Sequence, residues 1–113
     1  MDKEVLKIKT EDNIEQLRVS ETNCIILLND IRQLEEKNTE IELDVLREIT
    51  EDSTYTNQTK RDVAKAQRLR NDLQYLDNKT KIQNKQYELE KEQVQVSYLK
   101  RIIQLNTAYL QHV

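Results

Sequence analysis

Not one glycine or proline occurs in 113 residues, and this absence limits the chain more than any motif it carries. Soluble proteins average about 7% Gly and about 5% Pro, because compact folds turn often and these residues serve turns. Without them, sheets, barrels and α/β scaffolds lose their usual hairpin chemistry. The expected fold class is all-α: a long extended helix forming a coiled coil, with a middle segment that departs from the heptad pattern. Charged residues make up 35% and hydrophobic ones 36%, with no Trp or Phe, which is thin for an ordinary globular core.

The seam is visible in the first half of the chain. Leu17, Cys24, Ile31, Asn38 and Val45 recur every seven residues, and Leu27, Leu34 and Ile41 fall three after three of them. This is the 3,4 spacing of a coiled coil. Leu6, Thr10 and Asn13 continue it upstream, but two of the three are polar, so this end is expected to fray or to need a partner. In the last third Ile82, Leu89, Val96, Ile103 and Leu110 repeat by seven, backed by Leu99 and Val113. The distance from Val45 to Ile82, 37 residues, is five heptads plus two, so the two seams cannot share one unbroken register. The chain is therefore read as a single coiled-coil segment, 1–113, with one seam over about 6–49, a register shift over about 50–81 and a second seam over about 82–113.

Two forms can absorb the shift. In one, stutter-type insertions underwind a continuous helix. In the other, the chain turns back near Ser53-Thr54-Tyr55-Thr56-Asn57, leaving helices of roughly 50 and 55 residues for an antiparallel hairpin. The continuous helix is the preferred expectation, because helix–helix turns usually enlist Gly or Pro and threonines cost a helix only tenths of a kcal/mol each. At about 1.5 Å per residue it would be a rod of about 170 Å, too thin to bury its seam without a second chain.

Charge is segregated as well. Eight acids stand against Lys37 and Arg47 between Glu35 and Asp52, and five bases against Asp62 between Lys60 and Arg70. A parallel copy in register would set like against like, so a heteromeric, antiparallel or staggered partner is favoured. Asn38, a seam amide flanked by Leu34 and Ile41, is read as a device that selects register and partner at some cost in stability. The five tyrosines, Tyr55, Tyr75, Tyr87, Tyr98 and Tyr109, are the only aromatics, suited either to lateral docking or to seam and flanking positions.

No chemistry is expected. His112 is the only histidine, Cys24 is the only thiol and sits on the seam, and a phosphate-binding glycine loop is impossible without glycine. The chain is read as no enzyme, with no cofactor and no metal site. A net charge of -3 draws it to neither nucleic acid nor an anionic membrane. The longest apolar run, Cys24 to Leu28, is far short of the roughly 20 residues that span a bilayer. The lone cysteine and the polar start Met1-Asp2-Lys3-Glu4 point to a reducing cytoplasmic setting.

The middle stretch Tyr55-Thr56-x-x-Thr59-x-x-Asp62-Val63-x-Lys65-Ala66, followed by Asp72-Leu73-x-x-Leu76, resembles the axonemal ruler proteins, coiled-coil domain-containing proteins 39 and 40, nearer the second. The likeness covers about 49–81. Here Asn71 precedes the Asp-Leu pair, where that family has Gln, and Gln74-Tyr75 follows it. The resemblance implies a structural coiled coil wound with a different chain along the doublet microtubule of a cilium or flagellum, where it positions other axonemal complexes. Tubulin or those complexes would be its partners, and Tyr55, Thr59, Arg61 and Asp62 its candidate docking residues. Because the family is several times longer and the seam still runs at Leu110 and Val113, a segment of a longer rod is expected. The alternative function is a helical-hairpin adaptor or tethering-complex subunit in the cytoplasm, with the acidic block folded against the basic one.

Overall fold

The computed structural model describes residues 2–112. Among them the secondary structure is three α-helices and no strand: α1 Lys3–Glu51, α2 Gln58–Asn71 and α3 Leu73–Gln111. The all-α, coiled-coil-like class holds. The unbroken helix does not: α1 ends at Glu51, and the chain reverses before α2 begins.

The reversal uses polar side chains in place of glycine. The Asp52 amide donates to the Ile49 carbonyl at 3.2 Å, and the Thr54 amide donates to Asp52 Oδ1 at 2.9 Å, an Asx turn. That hydrogen bond from the Thr54 backbone holds the Asp52 carboxyl below its ordinary range. The Tyr55 amide returns to the Asp52 carbonyl at 3.3 Å, and the Tyr55 carbonyl accepts from Arg61 Nε at 3.2 Å. Asn57, extended at φ -137°, then caps α2 by accepting from the Lys60 amide at 2.9 Å. No described residue has a positive φ. A turn that never enters the left-handed region has no need of glycine, and for that reason the missing Gly and Pro are a poor guide to continuity.

A second, smaller break falls at Asp72. It leaves helical geometry at ψ 107° and donates its amide to the Leu69 carbonyl at 3.2 Å, closing α2. Its Oδ1 accepts from the Tyr75 amide at 2.9 Å, opening α3. Once the chain reverses, the two seams need not share one continuous heptad phase.

Two compact units divide the chain: Met1–Asn29 with Gln86–Val113, and Asp30–Lys85. In the second unit α1 lies antiparallel to α2 and to the first turns of α3. Arg68 meets Glu48 at 2.8 Å, Asn78 meets Asn38 at 2.9 Å and Lys85 meets Asp30 at 3.3 Å. One pair, Glu48 with Arg68, joins the acidic block to the basic one, while Glu42 of the acidic block meets Tyr75 beyond it. At the base of this unit Val45, Ile49 and Ala64 form a buried cluster, with Ile41, Tyr55 and Leu69 packed against it. Burying a large aliphatic side chain stabilises by roughly 1.5–3 kcal/mol, so this cluster holds the turn closed.

The first unit has the same character. Asn23 Nδ2 approaches Glu92 Oε1 at 3.5 Å, and Asn23, Ile26 and Leu27 share an open groove of ≈ 370 Å³ with Glu88, Lys91 and Glu92. At the start of α1, where the sequence suggests an end that frays or needs a partner, the chain is helical from Lys3. Asp2 caps α1 through the Glu4 amide at 3.0 Å, and Leu6 and Thr10 are both buried. The Thr10 hydroxyl is satisfied by the Leu6 carbonyl at 2.8 Å, so its polarity costs little at a covered position.

Candidate functional site

The seam is longer and more polar than its apolar residues suggest. Along α1 every position of the series 6, 10, 13, 17, 20, 24, 27, 31, 34, 38, 41, 45 is buried or half-buried. Along α3 the same holds for 75, 78, 82, 85, 89, 92, 96, 99, 103, 106, 110. Both are strict alternations of three and four. Of the anticipated partner-binding residues, Leu27, Ile31, Asn38, Val45, Leu89 and Leu99 are buried, while Leu17, Cys24, Leu34, Ile41, Ile82, Val96, Ile103 and Leu110 are half-buried. A second chain was expected to cover them. In this structure the chain itself supplies part of that cover, across the fold-back, and leaves the half-buried positions partly open. Val113 lies outside the described residues.

Asn78, Lys85, Glu92 and Asn106 occupy seam positions as polar residues, so a count of apolar repeats passes over them. Asn78 Nδ2 donates to Asn38 Oδ1, Asn38 Nδ2 donates to the Tyr75 carbonyl at 3.3 Å, and Gln74 Nε2 donates to Asn78 Oδ1 at 2.9 Å. This connected network, buried at Asn38 and Asn78, pairs the two seam amides with each other. Glu92 is less well served, since its Oε2 is buried without a hydrogen-bond partner. Its charge and that of Glu21 add to desolvation, the larger cause, in pushing the Cys24 thiol up. A thiol so placed is a weak nucleophile, consistent with a packing role.

Tyr75 gives the network an outer lock. Its hydroxyl donates to Glu42 Oε1 at 2.7 Å, and this bond, then burial, then the Glu42 charge push its pKa from 10.0 up to about 12. The neutral phenol is the form the fold favours, so its contribution to stability is complete below pH 10.0 and is lost as pH rises through about 12. Tyrosinate absorbance followed against pH should show one ring ionising near 12, and Glu42→Gln should move that step downward. An unmoved step would break the assignment.

The candidate docking residues separate into two kinds. Tyr55 and Arg61 are half-buried and serve the turn, whereas Thr59 and Asp62 are exposed on the first turns of α2, where Asp62 Oδ1 accepts from Gln58 Nε2 at 2.7 Å. Tyr55 and Thr59, with Thr54, Lys60, Val63 and Ala64, line an open groove of ≈ 380 Å³. The tyrosines also divide: Tyr75 is on the seam and Tyr55 in the turn, while Tyr87, Tyr98 and Tyr109 face outward from α3.

Among the described residues no group of three or more His, Cys, Asp or Glu side chains could hold a metal ion, and His112 is exposed. No described helix is long and apolar enough to cross a membrane. No family model, no curated protein and no solved structure matches this chain.

Proposed function

We propose that this chain is a non-catalytic scaffolding module, a helical hairpin of the adaptor or tethering type that closes its own seam and works through its outward faces. The observation that carries this reading is the fold-back at 52–57, which sets Asn38 against Asn78 and Asp30 against Lys85. A chain whose seam is satisfied internally is stable enough to present a surface before a partner arrives. The open grooves beside the turn and between the helices suit recognition of a partner surface.

A finer proposal places this module on the cytoskeleton of a cilium or flagellum, docked to a doublet-microtubule complex. It rests on the resemblance over about 49–81, and one feature favours it: Tyr55, Thr59 and Val63 from that stretch line the groove at the turn. In this version tubulin or an axonemal complex would be met by the tip of the hairpin, and the seam would stay closed.

Isotope-coded cross-linking separates the readings. Heavy and light chains are mixed, refolded together and treated with a carbodiimide, with and without candidate coiled-coil partners. The adaptor predicts Glu48–Lys65 and Glu15–Lys100 links of pure isotope, made within one chain. Mixed-isotope links, or the replacement of both by links to another protein, would return the function to a rod wound from separate chains.

A further inference from the structure

We infer that the outward face of α3 is a contact surface for a second copy of this chain, packed antiparallel to the first. The inference deepens the scaffolding proposal and rests on its closed hairpin. Tyr87, Val94, Tyr98, Leu105 and Tyr109 are between 46% and 70% exposed. Their spacing is seven, four, seven, four, so 87, 98 and 109 stand eleven apart, as do 94 and 105. Eleven residues make three helical turns almost without drift, and the five side chains form one straight stripe. The stripe lies opposite the covered row of Leu89, Val96, Leu99 and Ile103, so closing the hairpin leaves it open. Three tyrosines in one line are a costly surface for an unpartnered helix and a common one for an interface.

Charge selects the occupant. Glu90 and Arg101 flank the stripe on the same side and are both exposed. Neither has an opposite charge three or four residues away, since Glu90 neighbours Gln86, Tyr87, Gln93 and Val94, and Arg101 neighbours Ser97, Tyr98, Gln104 and Leu105. A parallel copy in register would set Glu90 against Glu90 and Arg101 against Arg101. Reversing the copy about a two-fold axis between Val94 and Tyr98 does the opposite. Val94 then faces Tyr98, Tyr87 faces Leu105, and Glu90 of each chain reaches Arg101 of the other. Four stripe residues pair within the overlap while Tyr109 reaches past it opposite Gln83, and both flanking charges find partners twice, which is the self-complementarity an isologous dimer requires. Lys91, whose Nζ lies 5.4 Å from the Tyr87 ring centre, lays its aliphatic stem along the same stripe.

The test uses the full chain, with mass and association constant followed by sedimentation across a concentration series. A monomer–dimer equilibrium is expected. Val94→Lys should abolish it, while the pure-isotope Glu15–Lys100 link persists because Val94 takes no part in the seam. Glu90→Arg and Arg101→Glu should each weaken association about tenfold by turning two attractive pairs into repulsive ones, and the double variant should return close to the parent. A chain that is monomeric throughout, or a dimer indifferent to these substitutions, would overturn the inference and leave the stripe to a different protein. Mixed-isotope seam links would instead overturn the scaffolding proposal beneath it, so the two failures read differently.

Discussion

Asn78→Leu should destabilise the hairpin by about 2–3 kcal/mol, although it replaces a polar residue in a seam with the commonest coiled-coil side chain. Asn78 is 2% exposed and Asn38 6% exposed. Removing the Asn78 amide strips Asn38 Oδ1 of its donor at 2.9 Å and strips Gln74 Nε2 of its acceptor. Gln74 is exposed and can turn to water, but Asn38 cannot. The cost is thus the desolvation of an orphaned carbonyl, larger than the net value of the bond itself. The double variant Asn38→Leu, Asn78→Leu removes both partners and should recover most of the loss or exceed the parent. Its penalty should appear in uniqueness, as extra amide resonances from hairpins slipped by a heptad. Urea unfolding of the three proteins decides the matter, and a single variant as stable as the double would show that the amides do not form a network.

Ile49→Ala should have the next largest effect, about 3–4 kcal/mol, with its structural consequence concentrated in α2. Ile49 is 0% exposed and packs with Val45 and Ala64 at the base of the turn, where the short α2 has Ala64 as its only fully buried residue. Ala64 is too small to follow the retreating side chain, so the cavity should stay open. Hydrogen exchange should accelerate first across Gln58–Asn71, before α1 or α3 lose protection. Equal loss of protection in all three helices would mean that the cluster does not act as a separate clasp.

The apolar half of this fold was legible in the sequence for a simple reason. Leu17, Ile31, Val45, Leu89, Val96 and Ile103 keep heptad spacing, and counting apolar residues finds them. The polar half was not legible by the same count. Ser20, Asn78, Lys85 and Glu92 hold equivalent positions, and for Asn78 and Lys85 it is the complementary residue across the fold-back, Asn38 or Asp30, that explains why a polar side chain is tolerated there. The place of the turn could be read from its Asx and Ser residues, but not its adoption over a continuous helix, because Asp52 and Asn57 make it with side-chain oxygens at negative φ and without Gly or Pro. The segregated charge was the best available signal, and Glu48 with Arg68 shows why: opposite charges at equal distance from a reversal attract within one chain. For the candidate surface, the tyrosines stand out as the only aromatics, but their division among seam, turn and outer face depends on the phase shift at Asp72, which no local pattern specifies.

The antiparallel seam also bears on how such a chain can change over generations. Facing residues have numbers that total 115 or 116, as with Asn23 and Glu92, Asp30 and Lys85, or Asn38 and Asn78. Variation should therefore be mirrored about a point beside Asn57. Within each unit, a substitution that enlarges one seam residue finds its compensating change at the mirror position, while an inserted residue shifts the pairs beyond it in that unit. In that sense the chain is inherited as one folded word whose second half must answer its first.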